Sequence, residues 1–259
     1  MNLFKRFFGG IIILGVLLTI TFLGHTYLSI GVTIFSLIAV KEMINAFKNL
    51  DFNVPTFLTM ILNLLIMLDA YIVDNRKYSI ASFVLFLMVI FIYMIFNKKH
   101  EFKDFLPLFF IIAYVSLLIS NIIKISDTRY IFMLYIIAWG SDTFAYLVGS
   151  TIGRNKIKSI SHISPNKTIE GFLGGIVGAV ILNLIYSNLM NISHDTLIIV
   201  LFTIVSAILS QIGDLIASFI KRQCQVKDFG NLIPGHGGIL DRFDSMLFVS
   251  PILYLLSIL

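Results

Sequence analysis

The residues between Ser218 and Asp244 gather charged side chains and glycines in a chain that otherwise has few charges. Its charged residues and its one histidine are Lys221, Arg222, Lys227, Asp228, His236, Asp241, Arg242 and Asp244. They surround a Pro-Gly-His-Gly-Gly turn that contains Gly235, Gly237 and Gly238. Glycines allow backbone conformations closed to other residues and let a ligand approach the main chain. Cations, carboxylates and glycines in one segment predict a site for a metal-bound polyphosphate.

The apolar run before this segment ends in a polar face. Asp214, Ser218 and Lys221 recur at i, i+4 and i+7, which places a carboxylate, a hydroxyl and an ammonium on one side of a helix. Asp241 and Asp244 stand at i and i+3 where the next run begins. Three carboxylates that converge from two helix ends suit a hard cation such as Mg²⁺, with substrate phosphates as further ligands. The alternative is that Asp214 and Lys221 only neutralise each other.

Two polar positions occur further upstream. Asp142 lies about midway along an apolar run, where an ionised carboxylate is costly unless it is paired or hydrated. A hydrogen bond between two helices is the alternative explanation for Asp142. Lys167 follows Pro165, which stops an incoming helix, and precedes a helix that Asn166 or Thr168 can cap. A cation beside free helix N–H groups predicts an anion site.

The helix after Lys167 carries a stripe of small residues. Its glycines are Gly171, Gly174, Gly175 and Gly178, and they recur at helical spacing. This pattern predicts close packing against another helix rather than a phosphate-binding loop. Glu170, in the first turn, is explained as a capping or dipole partner of the same helix. The sequence contains neither a Walker-type loop nor a dinucleotide glycine fingerprint.

The composition predicts an all-α polytopic membrane protein. Of the 259 residues, 58% are hydrophobic and 13% charged, whereas soluble domains have roughly 25% charged residues. Apolar runs of about 20 residues match the thickness of a bilayer core, and in lipid such runs must be helical. Nine spans are expected, at about 7–24, 27–47, 54–73, 78–97, 105–123, 129–150, 168–189, 195–220 and 243–259.

The distribution of basic residues predicts the orientation. If the nine spans alternate, 15 of the 19 Lys and Arg residues fall on one side of the membrane. The positive-inside rule then places the N-terminus and the loops at about 151–167 and 221–242 in the cytoplasm, and the C-terminus outside. The net charge of +5 is therefore explained by orientation in the membrane and by contact with anionic lipid headgroups, and no nucleic acid is expected as a partner.

The two halves of the chain differ in character. Residues 1–125 form plain apolar spans with short charged connectors, which we interpret as a scaffold or as a dimer or lipid-access region. Residues 126–259 carry polar residues inside the spans and both long loops, and are interpreted as the catalytic membrane domain. The single cysteine, Cys224, cannot form an internal disulfide and is given no role.

The polar pattern closely resembles that of the phosphatidate cytidylyltransferases, also called CDP-diacylglycerol synthases. The matching positions are Ser218, Lys221, Arg222, Lys227, Asp228, Gly230, Pro234 to Gly238, Asp241, Arg242 and Asp244. Three stretches upstream are similar as well: Ser141 to Gly149, Ser164 to Gly171, and Gln211 to Asp214. The resemblance covers about residues 138–245.

This resemblance implies an integral membrane enzyme that joins CTP and phosphatidic acid to give CDP-diacylglycerol and pyrophosphate. It further implies dependence on Mg²⁺, with K⁺ as a possible companion ion and a homodimer as a possible assembly. Asp214 and Asp241 are the implied metal ligands, and Asp244 is a third candidate. The expected catalytic residues are Lys221, Arg222, Lys227, Asp228, His236 and Arg242. The expected substrate-binding residues are Asp142, Lys167, Ser218, Gly235, Gly237 and Gly238.

Three other functions remain open at this point. A CTP-dependent polyprenol or phytol kinase would transfer the γ-phosphoryl group and release CDP instead of pyrophosphate. A relative acting on an ether lipid would differ only in the lipid. A transporter or channel would use Asp142 and Asp214 as coupling carboxylates, but the polar residues gather on one side of the predicted membrane. Acyl-chain preference and the choice between CTP and dCTP cannot be read from the sequence.

Overall fold

The computed structural model describes the backbone of residues 3–72, 76–232 and 237–259, and the side chains of residues 13–72, 81–232 and 237–259. Within these ranges the chain is helical and contains no β-strand. The helices are α1 (Leu3–Phe22), α2 (His25–Lys48), α3 (Thr56–Ile72), α4 (Arg76–Phe96), α5 (Phe102–Ile111), α6 (Leu118–Lys124), α7 (Thr128–Thr151), α8 (Ile169–Leu189), α9 (Thr196–Gln223) and α10 (Leu240–Ser257). A π-helical stretch, Ile112–Leu117, joins α5 to α6.

The helices confirm an all-α membrane protein. Five described segments are long and apolar enough to cross a bilayer: His25–Lys48, Phe102–Lys124, Thr128–Thr151, Ile169–Leu189 and Thr196–Gln223. Three shorter apolar segments are Ile13–Phe22, Thr56–Ile72 and Ala81–Phe96. Every predicted span overlaps a helix, whereas the number of spans stays a prediction. The last helix, α10, carries three charged residues in its first turns, and two of them, Asp241 and Arg242, precede the predicted span at 243–259.

The chain divides into two compact units. The first consists of Met1–Ser126 together with Cys224–Arg242, and the second of Asp127–Gln223 together with Phe243–Leu259. The division at residue 126 lies beside the sequence boundary at 125. The predicted loop at 221–242 falls mostly in the first unit, although it was grouped with residues 126–259. The roles given to the two halves remain predictions.

Within the first unit, α2 packs against α1, α3 and α6. Two polar contacts fix its position, since Asn63 Nδ2 donates to Ser36 Oγ at 2.9 Å and His25 Nε2 lies 2.7 Å from the carbonyl oxygen of Ile123. Hydrogen bonds between helices help to hold them together in a bilayer, where lipid removes the hydrophobic drive for association. The C-terminal end of α2 therefore belongs to a helix whose position is fixed.

Within the second unit, α7 and α8 pack with their backbones close together. A Cβ atom on Gly171 would lie 2.8 Å from the carbonyl oxygen of Ala145, and one on Gly175 would lie 2.7 Å from that of Ser141. A Cβ atom on Gly178 would overlap the Phe144 ring. The prediction that the glycines of this helix serve close packing is confirmed.

Candidate active site

The second unit contains a cavity of about 650 Å³ between α7, α8, α9 and the loop that joins α7 to α8. Its charged lining consists of Asp142, Lys156, Lys167 and Asp214, and apolar side chains such as that of Phe172 complete the wall. Small-molecule sites typically have volumes of about 300–1,000 Å³. Two carboxylates and two ammonium groups in one cavity suit a phosphorylated ligand that arrives with a cation.

An ion pair joins two of the predicted site residues inside this cavity. Lys167 Nζ lies 2.6 Å from Asp214 Oδ2, and it also donates to the carbonyl oxygen of Gln211 at 3.4 Å. Both charged side chains are about one-third exposed or less. The structure therefore brings together a lysine expected at an anion site and an aspartate expected at a metal site.

The loop between α7 and α8 holds Lys167 through its main chain. Lys156 and Thr168 form an isolated antiparallel bridge, in which the N–H of Ile157 donates to the carbonyl oxygen of Lys167 at 3.1 Å. Glu170 accepts hydrogen bonds from the backbone N–H and the side-chain amide of Asn155, the latter at 2.7 Å. These contacts bring Lys156 and Lys167 to the same cavity.

Thr168 is the N-cap of α8. Its Oγ1 accepts a hydrogen bond from the N–H of Gly171 at 3.1 Å, as expected for a threonine at this position. A Cβ atom on Gly149 would lie 3.2 Å from the same oxygen, and one on Gly153 would lie 2.7 Å from it. Of the two capping residues that the sequence offered, Thr168 and not Asn166 is the cap, and glycines make room for it.

Asp244 is the most buried of the predicted metal ligands in the second unit, with 7% of its surface exposed. The charged groups that act on its carboxyl are Asp214, Lys221 and Asp142. Lys221 stands on α9 two turns after Asp214, and Ser218 lies between them on the same helix. Two carboxylates and one ammonium thus act on the Asp244 carboxyl within this unit.

The donor set of this unit fits a hard divalent cation. Asp142, Asp214 and Asp244 supply oxygen atoms only, and the repulsion that Asp142 and Asp214 exert on the Asp244 carboxyl favours a bound cation. No three His, Cys, Asp or Glu side chains among the described residues are grouped closely enough to hold a metal ion. Mg²⁺ commonly binds through one or two carboxylates, with waters and substrate phosphates as its other ligands. This mode of binding needs no closed protein cage.

In the first unit, Asp241 organises the polar segment formed by residues 224–232 and 237–242, here called the glycine-rich segment. One oxygen, Oδ2, accepts hydrogen bonds from the N–H groups of Phe229 at 2.8 Å and Gly238 at 2.9 Å. Gly237 has φ +85°, a left-handed conformation that favours glycine. A Cβ atom there would lie 2.8 Å from Asp241 Oδ2 and 3.1 Å from Asp228 Cβ.

A buried glutamate that the sequence analysis missed holds the same segment. Glu42, on α2, accepts hydrogen bonds from the N–H groups of Ile239 at 3.0 Å and Leu240 at 2.9 Å. The available signal was the one acidic residue in the predicted span at 27–47, which stands beside Lys41. A carboxylate in such a position is a candidate for a functional or structural role.

The remaining predicted site residues fall into three groups. Arg222 is exposed at the end of α9, and Lys227 and Asp228 are exposed in the glycine-rich segment. Arg242 lies in the first turn of α10 and is partly buried. Gly235 and His236 lie outside the described residues. The roles predicted for all of these residues, and those predicted for Ser218 and Gly238, stay predictions.

Comparison with known proteins extends the similarity to almost the whole chain. A model of the cytidylyltransferase family matches residues 4–259. The phosphatidate cytidylyltransferase of Staphylococcus haemolyticus is 33% identical over 252 residues, and that of Staphylococcus epidermidis is 34% identical over 257 residues. In both cases the match covers 96% of each chain. The phosphatidate cytidylyltransferase of Bacillus subtilis is 47% identical over 127 residues, which cover 49% of this chain and 46% of its own.

Proposed function

The chain belongs to the cytidylyltransferase family, and we propose that it transfers the cytidylyl group of CTP to phosphatidic acid, giving CDP-diacylglycerol and pyrophosphate. The observation that carries this proposal is the similarity to two phosphatidate cytidylyltransferases over 96% of the chain. The charged cavity beside apolar helices supports it, because the reaction joins a water-soluble nucleotide to a lipid phosphate.

The chemistry requires positioning and charge compensation more than a strong base. Phosphatidate is already an anion at neutral pH, so its phosphate oxygen can attack the α-phosphorus of CTP in line while pyrophosphate leaves. The bond from the α-phosphorus to the bridging oxygen breaks, and its electrons leave with pyrophosphate. The main barriers are the repulsion between two polyanions and the charge that develops on the leaving group.

We assign these tasks to the basic residues of the site. Lys156 and Lys167 bind phosphate oxygens in the cavity. The charge that develops on the leaving pyrophosphate is stabilised by four further cations: Lys221, Arg222, Lys227 and Arg242. His236 donates a hydrogen bond or a proton to the same group. Such groups stabilise a transition state when they are fixed before charge develops. The fixed positions of Lys156 and Lys167 support this assignment.

Magnesium is the proposed cofactor, with Asp214, Asp241 and Asp244 as candidate ligands. Bound there, it would neutralise phosphate charge and orient the polyphosphate. The oxygen-only donor set and the repulsion acting on Asp244 support this proposal. A companion K⁺ ion and a homodimeric assembly, both implied by the family resemblance, are part of the same proposal.

The proposed orientation places the N-terminus and both polar loops in the cytoplasm and the C-terminus outside. It rests on the uneven distribution of the 19 Lys and Arg residues. In this orientation CTP reaches the site from the cytoplasm while the acyl chains of phosphatidic acid remain in the bilayer.

The deciding experiment measures pyrophosphate release by detergent-purified protein given CTP, phosphatidic acid and Mg²⁺. We expect lipid-dependent release that stops when EDTA removes the metal and resumes when Mg²⁺ is restored in excess. Asp241→Asn should abolish it. Release of CDP instead of pyrophosphate would indicate the lipid kinase, and absence of any nucleotide turnover would contradict both enzymes.

Asp51→Asn is the matched control for this variant. It also removes one carboxylate from the first unit, but Asp51 is exposed in the turn after α2 with φ 59°, a conformation that asparagine tolerates. We expect its activity to equal that of the wild type. Asp241→Asn with full activity would leave the reaction standing and disprove the metal assignment.

A further inference from the structure

Glu42 is a charged residue buried near the end of an apolar helix. Only 7% of its surface is exposed, and it belongs to α2, whose 24 residues are long and apolar enough to cross a bilayer. A carboxylate in such a place is costly unless its oxygen atoms are fully hydrogen-bonded. Its partners therefore reveal what it does.

Both carboxylate oxygens of Glu42 accept hydrogen bonds from the start of α10. Oε1 binds the N–H of Ile239 and Oε2 binds that of Leu240. The first N–H groups of a helix have no partner within the helix, and a carboxylate that accepts from them is favoured both as a cap and by the helix dipole. Glu42 thus caps α10 although it lies 197 residues away from Ile239 in the chain.

Two glycines allow this carboxylate to reach the main chain. A Cβ atom on either Gly230 or Gly238 would overlap the carboxyl group of Glu42. Both positions belong to the glycine-rich segment, and neither has a positive φ. These glycines are therefore explained by the space that Glu42 occupies rather than by an unusual backbone conformation.

Glu42 and Asp241 hold the same segment from two directions. Asp241 binds the N–H groups of Phe229 and Gly238, and Glu42 binds those of the next two residues, Ile239 and Leu240. Three consecutive N–H groups, 238 to 240, are thereby fixed by two carboxylates. The orientation of Asp241, which lies in the first turn of α10, consequently depends on Glu42.

We propose that Glu42 is a positioning residue of the cytidylyltransferase reaction, whose carboxylate fixes the glycine-rich segment and through it Asp241. Glu42 acts without touching a substrate. The kinetic part of this inference rests on the proposed function, whereas the structural part does not.

The first test follows the segment itself and needs no enzyme activity. Trypsin should cleave the folded wild type slowly at the exposed Lys227. Glu42→Gln keeps the size of the side chain but replaces one acceptor oxygen with an N–H₂ group that faces an N–H donor. Loss of a charged hydrogen bond predicts cleavage at Lys227 faster by roughly tenfold. Cleavage at the wild-type rate would overturn the proposal.

Asp104→Asn is a matched control for Glu42→Gln. Asp104 is also a buried carboxylate, 3% exposed, and also accepts two backbone hydrogen bonds at a helix start, from Asn53 at 2.8 Å and Glu101 at 3.0 Å. It belongs to α5 and not to the glycine-rich segment. Its loss should lower the thermal midpoint but leave cleavage at Lys227 unchanged.

The second test separates positioning from general stability by kinetics. Per folded molecule, Glu42→Gln should lower kcat and raise the Mg²⁺ concentration for half-maximal activity by roughly tenfold, because Asp241 is misplaced. Asp104→Asn should change neither value. Equal behaviour of the two variants would reduce Glu42 to a structural residue and overturn the proposal.

Gly230→Ala provides a second route to the same result if Glu42→Gln does not fold. Its new methyl group would displace the Glu42 carboxyl without removing it. It should reproduce faster cleavage at Lys227 and the higher Mg²⁺ requirement. An alanine variant with wild-type values in both tests would contradict the role of Glu42.

Discussion

The ammonium of Lys167 lies 2.6 Å from Asp214 Oδ2, so one of the two lysines that line the cavity contacts a carboxylate proposed to bind metal. Lys167 comes from a loop and Asp214 from the middle of α9. Each residue therefore compensates the charge of the other and holds it in place in the partly buried wall of the cavity, where an isolated charge would be costly.

Lys167→Met and Asp214→Asn should each lower kcat/KM by about a hundredfold or more, because each removes a charge fixed beside the reacting phosphates. Expressed as free energy, the loss of kcat/KM in the double variant should be smaller than the sum of the losses in the two single variants, since the two side chains contact each other. Steady-state pyrophosphate release measures this.

Lys158→Met is the control for that pair of residues. Lys158 lies in the same loop, in a short 3₁₀ turn, and is exposed away from the cavity lining. Its activity should remain close to that of the wild type. Strictly additive effects of Lys167→Met and Asp214→Asn would contradict the ion pair.

Lys156→Met should weaken phosphate binding more than it slows turnover. Lys156 lines the cavity and its side chain is exposed, so its ammonium is available to a bound anion. We expect the inhibition constant of pyrophosphate to rise by roughly tenfold, as for loss of one charge-assisted hydrogen bond. An unchanged inhibition constant would remove Lys156 from the site.

Gly175→Ala should destabilise the contact between α7 and α8. The added Cβ atom would lie 2.7 Å from the backbone oxygen of Ser141, which cannot move aside as a side chain can. Forced insertion into a packed interface costs about 1–3 kcal/mol of unfolding free energy. Thermal unfolding in detergent measures the loss.

Gly15→Ala is the matched control for Gly175→Ala. Gly15 is also in a helix, but nothing lies within 4 Å of a Cβ atom built there. Alanine should leave stability unchanged or raise it by up to about 1 kcal/mol, the difference in helix propensity. Equal losses in the two variants would contradict close α7–α8 packing.

Cysteine labelling tests the orientation. In a Cys224→Ser background, Ser193→Cys and Lys158→Cys place single exposed thiols at opposite ends of α8. An impermeant maleimide should label the first thiol on intact cells and the second only after permeabilisation. The reverse pattern would invert the proposed topology.

Cys224 itself should react slowly with a permeant maleimide. Burial raises the pKa of the Cys224 thiol above its usual value, so less of the reactive thiolate is present at neutral pH. Its labelling rate in folded protein should keep rising at pH values where an exposed cysteine has levelled off. Denaturation in SDS should remove the difference, and equal pH profiles before denaturation would contradict the prediction.

Sequence reasoning identified the helices and several polar residues of the site because their signals are local. Runs of apolar residues predict helices in a bilayer, and a proline followed by Thr168 predicts the start of α8. The glycines of α8 revealed their packing role through their spacing alone. Lys167 and Asp214 were both selected, but their contact depends on the path of the loop, which spacing does not encode.

Glu42 and the grouping of residues 224–242 with the first unit were missed for a related reason. A single acidic residue at the end of an apolar run is commonly explained by its reach to the membrane surface. Its actual partners are backbone N–H groups, which every residue except proline carries, so the sequence does not mark them. Glycines at 230 and 238 suggested a ligand, whereas in the structure they also accommodate a carboxylate of the same chain.

The glycine contacts between α7 and α8 have a consequence for the energetics of substrate binding. These helices meet through backbone atoms, so the part of the wall formed by their contact has few side-chain rotamers to order when a ligand arrives. Ordering each flexible side chain at a binding surface costs about 0.5–1.5 kcal/mol. At the α7–α8 contact this ordering takes place when the helices assemble in the bilayer and not when the substrate binds. More of the substrate's interaction energy therefore remains available for affinity or for orienting the reacting phosphates.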